Sequence, residues 1–152
     1  MRGLGLNIEG NKCGDNGLAS LCKALKTTPA PVLRLSKNNI GDAGAAALGA
    51  LVKNTTAIIE IQLNKNHLTD AGVAALCAAL KENKSVLKLD LSENSVGPAG
   101  VASLHDLLKT NKVIGSIDVS GNPEIVEGKA LAAALQNEGL QLGSLTFSRY
   151  GL

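Results

Sequence analysis

The chain has 152 residues, of which 45% are hydrophobic and 18% charged, enough for one domain with a buried core and too long for a disulfide-stapled peptide. Its formal net charge of +2 is too small to predict electrostatic binding to nucleic acid or to an anionic membrane. Only 1% of the residues are aromatic, so large rings do not build the core. Three cysteines, in a chain whose first residues lack a secretory signal, predict reduced thiols and an intracellular, cytoplasmic location.

One strand and one helix alternate along the chain, and the first strand is predicted near Leu6. Each strand has a frame of alternating apolar residues that leads to an Asn, as in Leu33-x-Leu35-x-x-Asn38-x-Ile40. A helical pattern follows, as in residues 72–80, where Gly72, Leu76 and Leu80 recur every four positions. The later units begin near Leu33, Ile61, Leu89 and Ile117, with a partial unit from Leu145.

Two residue series mark this repeat, and both step by 27 residues once and then by 28. The Asn series is Asn11, Asn38, Asn66, Asn94 and Asn122. The Gly series is Gly17, Gly44, Gly72, Gly100 and Gly128. A fixed period of this length predicts one repeat domain over residues 1–152.

The two ends of the chain depart from the repeat. The first strand begins almost at once, which leaves the apolar face of Leu6 and Ile8 uncovered. We therefore expect a fragment of a longer solenoid, or a first repeat that packs on a partner or on a second copy. At the other end Pro123 shifts the apolar frame, and Phe147 and Tyr150 stand in the sixth frame, where they are expected to plug the last open edge.

The frame L-x-x-L-x-L-x-x-N-x-L at a period of 28 residues resembles the leucine-rich repeats of the ribonuclease-inhibitor-like class. The resemblance covers nearly the whole chain. It implies an α/β solenoid, a horseshoe segment of about five repeats plus a terminal strand, with a parallel concave β-sheet and convex α-helices. Elementary geometry agrees, because parallel strands stack about 4.8 Å apart while helix axes need about 8–10 Å, which curves the array toward the strands.

For function, the resemblance implies a non-enzymatic protein-binding scaffold that is part of a larger protein or assembly. The same repeats occur in the Ran GTPase-activating protein, in tropomodulins and in NLR-type receptors. Regulation of a small GTPase, regulation of the cytoskeleton and an innate-immune sensor fragment therefore stay open as alternatives.

Three columns of polar residues follow from the repeat. The Asn amides, which both donate and accept, are expected to form a buried structural ladder at the strand exits. Aspartates fall in the first turn of the helices and lysines near the last turn, where they complement the helix dipole. The aspartates are Asp15, Asp42 and Asp70, and the lysines are Lys26, Lys53, Lys81 and Lys109.

The outward strand positions predict the partner-binding surface on the concave face. Its candidate residues are Arg34, Lys37, Gln62, Asn64, Lys65, His67, Asp90, Glu93 and Asp118. The early repeats are basic on this face and the later ones acidic, a division that suits a charged partner. The face offers roughly 400 Å², below the about 800 Å² per partner of a standard interface, so this stretch alone is expected to bind weakly.

Catalysis, cofactors and metals are not expected. The chain has no phosphate-binding glycine loop and no nucleophile elbow. Asp90 and Asp118 fall on neighbouring strands, an arrangement that also occurs in acid–base pairs and cation sites. Because the face is open and hydrated, we interpret them as a solvated surface patch. Cys22, Cys77 and His105 share a helix position, but helix axes about 8–10 Å apart are too distant for zinc coordination.

Two further surface patterns have plain explanations. The helix-end lysines form a rim that suits phosphates or an acidic partner, although the helix dipole already accounts for each of them. Asn54-Thr-Thr and Asn83-Lys-Ser match glycosylation acceptors, but without a secretory signal they are interpreted as polar loops between helix and strand.

Overall fold

A computed structural model describes residues 5–28, residues 30–122 and the backbone of residues 144–146. The strands are β1 Leu6–Asn7, β2 Val32–Arg34, β3 Glu60–Gln62, β4 Lys88–Asp90, β5 Ser116–Asp118 and β6 Ser144–Thr146. The helices within the described ranges are α1 Gly14–Leu25, α2 Asp42–Lys53, α3 Asp70–Leu80 and α4 Pro98–Thr110. Pro123, Phe147 and Tyr150, predicted to mark the irregular fifth repeat and the aromatic plug, lie outside the described residues.

All six strands form one parallel sheet in chain order. Equivalent residues of successive frames pair across it, so that Leu33 lies opposite Ile61, and Ile61 opposite Leu89. The nearly constant period sets this register, because each strand meets the next at the same position of its frame. The predicted α/β solenoid, with a concave parallel sheet and convex helices, is confirmed.

The core lies between the sheet and the helices. In the second repeat, Leu33, Leu35 and Ile40 are fully buried, and helix α2 contributes Ala45 and Leu48. Small helix residues let the helix backbone approach the sheet, while leucines fill the space between them at close packing. Within the described part of the chain, no helix is long and apolar enough to cross a membrane.

The Asn side chains link each repeat to the one before it. Asn38, Asn66, Asn94 and Asn122 are buried, whereas Asn11 is exposed. Asn66 Oδ1 accepts the backbone N–H of Asn38 at 2.9 Å and that of Ile40 at 3.0 Å. Asn66 Nδ2 donates to the carbonyl oxygens of Leu35 and Leu63, both at 3.0 Å. The other buried Asn amides bond to the preceding repeat in the same way.

An aspartate in the first turn of each of the first three helices bonds to the start of the next helix. Asp42 Oδ1 accepts the N–H of Thr69 at 2.8 Å and that of Gly72 at 3.0 Å. Asp70 Oδ1 does the same for Gly97 at 2.6 Å and Gly100 at 2.9 Å. These aspartates stand in the first turn as predicted, but the dipole of their own helix is only part of their role. They also cap the neighbouring helix, whose own N-cap residue makes no side-chain cap bond.

The same contacts explain three members of the Gly series, namely Gly44, Gly72 and Gly100. A Cβ built on Gly100 would lie 2.7 Å from Asp70 Oδ1 and 2.6 Å from a Val96 methyl, closer than real Cβ contacts. A Cβ on Gly44 would lie 2.6 Å from Asp15 Oδ1. Glycine therefore does more than mark the start of each helix. It leaves room for the aspartate side chain that reaches across from the preceding repeat.

A second set of buried amides lies at the opposite edge, where helices lead into strands. Asn83 Nδ2 donates to the carbonyl oxygen of Val52 at 2.9 Å, and Asn111 Nδ2 donates to that of Leu80 at 2.8 Å. Their Oδ1 atoms accept N–H groups of the strand approach, such as that of Val86 at 2.8 Å. Both residues are buried, so the interpretation of Asn83 as part of a merely polar loop is incomplete.

One ion pair crosses the convex surface between helices α3 and α4. Lys81 Nζ lies 2.8 Å from Asp106 Oδ2. The hydrogen bond and charge of Lys81 lower the pKa of Asp106 below 3.8, and Asp106 raises the pKa of Lys81 above 10.5.

For this pair we expect a small, pH-dependent effect of Asp106→Asn. The stabilisation due to the lowered carboxyl pKa is present above pH 3.8 and is lost as the pH falls through the folded-state pKa. The melting temperature of Asp106→Asn should therefore lie slightly below that of the native chain at neutral pH and converge with it well below pH 3.8. About 1 M NaCl, which screens charges beyond about 3 Å, should also narrow the difference. A gap that persists in acid would contradict an electrostatic origin.

Candidate functional site

The outward side chains of strands β3, β4 and β5 line a shallow depression on the concave face. The lining residues are Glu60, Gln62, Lys88, Asp90, Ser116 and Asp118, over a floor of Ile61 and Leu89. Alternation along each strand puts the polar residues outward while Ile61 and Leu89 stay buried. The sheet register then sets Glu60 beside Lys88 and Gln62 beside Asp90.

The structure brings together three of the nine predicted residues in this depression, namely Gln62, Asp90 and Asp118. Arg34 is exposed on the neighbouring strand, in register with Gln62. Asn64 lies further along the face and accepts a hydrogen bond from the Ser36 hydroxyl.

The other four predicted residues lie in the turns that follow the strands. Lys37, Lys65 and Glu93 adopt left-handed backbone conformations with φ of 58°, 58° and 53°. Such values are uncommon for residues other than glycine, and the charged side chains project from these turns as a ridge along one edge of the sheet. His67 lies beyond the ridge, with its Nε2 3.3 Å from Asn39 Oδ1.

Asp90 and Asp118 are each held by the serine two residues later. Asp90 Oδ1 accepts the Ser92 N–H at 2.9 Å and the Ser92 hydroxyl at 2.6 Å. Asp118 Oδ1 is bonded identically by Ser120, at 2.9 Å and 2.6 Å. Within the described side chains, the Oδ2 atom of each carboxylate makes no hydrogen bond or ion pair. The two carboxylates are thus fixed side by side, each with one oxygen open to a partner.

The predicted division into a basic early half and an acidic late half needs correction. Lys37 lies 3.8 Å from Glu9, and Lys65 lies 3.8 Å from Glu93, so the ridge lysines face carboxylates on adjacent repeats. Glu60 adds negative charge to the early half of the face and Lys88 adds positive charge to the later half. Within the depression itself the carboxylates of Glu60, Asp90 and Asp118 outnumber the one ammonium.

Glu60 and Lys88 belong to the site although the outward columns considered in the sequence do not include them. The sequence contains a signal for both residues, because side chains two positions apart on a strand share one face. Glu60 lies two residues before Gln62, and Lys88 two residues before Asp90. Ser116 joins the lining for the same reason. The concave face therefore extends further toward the strand starts than the predicted set.

The cysteines are buried in or packed against the core rather than grouped with other reactive side chains. Burial raises the pKa of Cys22 to about 11 and that of Cys77 to about 12, so both thiols are neutral at physiological pH. Cys13 is half-buried and packs against the core. His105 is half-buried on α4, one repeat after Cys77. Among the residues that the structure describes, no three His, Cys, Asp or Glu side chains are close enough to hold a metal ion.

The repeat and the fold both have counterparts among known proteins. The family model described as "Leucine Rich repeat" matches residues 32–49, 58–77 and 82–104, which lie in three successive strand–helix units. No curated protein shows significant sequence similarity to the chain.

Among chains of known structure, 55 match this fold. One of them is Leiomodin-1 Actin-Binding Site 2, with a TM-score of 0.73 and 19% sequence identity over 88% of this chain and 76% of that one. An identity this low establishes a common fold only. The three matched segments are leucine-rich repeats. The sheet register shows that the same repeat architecture continues through the other described strands.

Proposed function

We propose that the chain is a non-enzymatic protein-binding module that uses its concave face and forms part of a larger protein or intracellular assembly. The observation that carries this proposal is the pair Asp90 and Asp118, held side by side by serine hydrogen bonds, each with one carboxylate oxygen that no described side chain bonds. A parallel sheet presents these groups at fixed spacing, so a partner meets a preorganised surface.

The same features favour recognition over chemistry. Catalytic carboxylates act in sites that exclude water, whereas these lie in a shallow, open depression. The buried thiols have raised pKa values and are poor nucleophiles. Asp90 and Asp118 lie on the outward face of the sheet, where a protein partner can reach them.

We expect the double variant Arg34→Glu, Asp90→Lys to lose partner binding while it keeps its fold. Both side chains lie on the concave face, on strands β2 and β4, and the two charge reversals leave the net charge unchanged. A crosslinking capture from cell lysate, followed by mass spectrometry, compares the variant with the native chain. Circular dichroism should show equal helicity and nearly equal melting temperature.

The matched control is Lys53→Glu, Glu82→Lys, which reverses two exposed charges at the helix ends without altering the concave face. This control should capture the same partner as the native chain. Equal capture by the native chain and by Arg34→Glu, Asp90→Lys would reject the concave-face assignment. Loss of capture by the control would instead place the binding surface on the lysine rim.

A cytoskeletal role is the second candidate, because the structure shares its fold with Leiomodin-1 Actin-Binding Site 2. Co-sedimentation with filamentous actin, and the rate of pyrene-actin assembly, test this directly. Binding that is lost in Arg34→Glu, Asp90→Lys would support actin as the partner, and no effect on sedimentation or assembly would exclude it. Regulation of a small GTPase and a role as an innate-immune sensor fragment stay predictions from the resemblance.

A further inference from the structure

Two large hydrophobic side chains are exposed in the described part of the chain, and they lie side by side. Ile59 is 37% exposed and Leu87 is 45% exposed. Each directly precedes a strand, Ile59 before β3 and Leu87 before β4. The Leu87 N–H donates to the Ile59 carbonyl oxygen at 2.7 Å, which holds the two residues on adjacent positions of the sheet. We call Ile59 and Leu87 the apolar pair.

Local backbone geometry explains why the apolar pair is not buried. The N–H groups of Ile59 and Glu60 both donate to the Pro31 carbonyl oxygen, at 2.7 Å and 3.0 Å. Leu87 and Lys88 share the Ile59 carbonyl oxygen in the same way, at 2.7 Å and 3.3 Å. Ile59 and Leu87 thus add a second N–H group to a carbonyl oxygen that the sheet ladder already uses. The paired ladder starts one residue later, at Glu60 and Lys88, so Ile59 and Leu87 stand just outside the regular alternation of the strands.

The core does not need the apolar pair. Ile58 and Val86, the residues just before them, are already fully buried against the helices. The equivalent positions in the flanking repeats are Pro31 and Gly115, which carry no long side chain. Two exposed aliphatic side chains that stand together and that the core does not use are available for contact with a partner.

The apolar pair adjoins the carboxylate-lined depression. Glu60 and Lys88, which line it, follow Ile59 and Leu87 directly in the chain. Asp90 lies three residues after Leu87 on the same strand, and Asp118 lies beside Asp90 on the next strand. At about 3.3 Å per residue, the distance along the strand from Leu87 to Asp90 is about 10 Å. The exposed apolar pair thus stands next to the rim of the depression, within reach of a segment that also contacts its carboxylates.

We propose that this surface docks a protein segment that places an apolar side chain on Ile59 and Leu87 and a Lys or Arg against Asp90 and Asp118. The charge sign follows from the excess of carboxylates in the depression, and among the described side chains each Asp has an unbonded Oδ2 to accept the cation. In an extended segment the two side chains stand two or three residues apart. This inference rests on the proposed function and names the chemistry of the partner.

Selection from a random dodecamer peptide library on the immobilised full chain tests this without a known partner. Enriched peptides should combine Lys or Arg with an aliphatic or aromatic residue two or three positions away. Ile59→Asn, Leu87→Asn should weaken their binding about tenfold, since each side chain loses part of its burial. Asp90→Asn, Asp118→Asn keeps an Oδ1 acceptor for each serine and should weaken binding by at least as much, through loss of charge.

The matched control is Ala46→Asn, Ala74→Asn, which adds the same amide to exposed positions of helices α2 and α3. It should bind the peptides like the native chain. Enriched peptides that are acidic, peptides that ignore the apolar pair, or a selection without enrichment would each overturn the inference. So would light scattering that shows a dimer of the native chain dissociated by Ile59→Asn, Leu87→Asn, because a second copy would then be the occupant.

The inference and the proposed function can fail separately. One result would overturn the inference and leave the concave face as the binding surface. In it, the double variant Arg34→Glu, Asp90→Lys no longer binds the peptides, whereas Ile59→Asn, Leu87→Asn still does. Peptides retained by every one of these variants would reject both.

Discussion

Asn66→Ala is expected to destabilise the fold by about 3–5 kcal/mol, a large share of the about 5–15 kcal/mol that stabilises a typical domain. The substitution removes the acceptor for the buried N–H groups of Asn38 and Ile40 and the donor to the carbonyl oxygens of Leu35 and Leu63. Each buried group left without a partner costs about 1–3 kcal/mol, and such costs are not strictly additive. Urea unfolding followed by circular dichroism measures the effect.

Asn11→Ala is the matched control, since Asn11 stands at the same frame position but is exposed. Among the described residues, its Nδ2 bonds within its own turn, to the carbonyl oxygens of Ile8 at 2.7 Å and Glu9 at 3.4 Å. Water replaces these bonds, so a loss of less than about 1 kcal/mol is expected. Similar losses for the two variants would show that the Asn frame does not act through burial.

Gly72→Ala is expected to cost about 2–4 kcal/mol, although an alanine in a helix interior normally gains about 0.5–1 kcal/mol over glycine. The reversed sign comes from the Asp42 carboxylate, which a Cβ on Gly72 would strike. Either the carboxylate gives up its bonds to the Thr69 and Gly72 N–H groups, or helix α3 moves away from α2.

A double-mutant cycle with Asp42→Ala isolates this contact. Asp42→Ala alone should cost about 1–2 kcal/mol through loss of the cap at the start of α3. In that background the remaining neighbours of the new Cβ include the Asp42 Cα and a Leu68 methyl, both at 3.2 Å, which small shifts accommodate. The cost of Gly72→Ala should fall by at least about 1 kcal/mol, and an unchanged cost would refute the proposed clash.

The fold is predictable from the sequence because its determinants are local and periodic. Alternating Leu and Ile residues define the buried strand face, and the nearly constant period places Leu33, Ile61 and Leu89 in one register. The frame residues pair in register at a spacing of 27 residues between β1 and β2 and of 28 between the later strands. The alternating frame and the length of the period together therefore predict one strand and one helix in each repeat.

The links between repeats are less accessible to sequence reasoning. Asp42 stands in the first turn of α2, where the dipole alone explains an acidic residue, and nothing local shows that its carboxylate bonds to Thr69, 27 residues later. Likewise Asn83 stands in a polar loop, and its burial depends on how that loop packs over Val52. Such roles depend on three-dimensional neighbours that a single frame does not reveal.

The candidate site shows the same limit. Alternation predicts that Gln62, Asp90 and Asp118 face outward together, and the same rule extends to Glu60 and Lys88 once the strand starts are known. The exposure of Ile59 and Leu87 is harder to foresee, because both residues stand just before the paired strands, where the alternation of buried and exposed residues has not yet begun. Aliphatic residues beside a strand are otherwise expected in the core.

The aspartate contacts between helices also have a direction. Each described link runs from one helix to the start of the next, from Asp15 to Gly41, from Asp42 to Gly72 and from Asp70 to Gly100. The equivalent position of α4 is Pro98, which has no carboxylate to continue the series. Since each repeat depends on its predecessor, an interior repeat cannot open alone, and amide hydrogens of α2 and α3 should exchange with solvent only when several repeats unfold together.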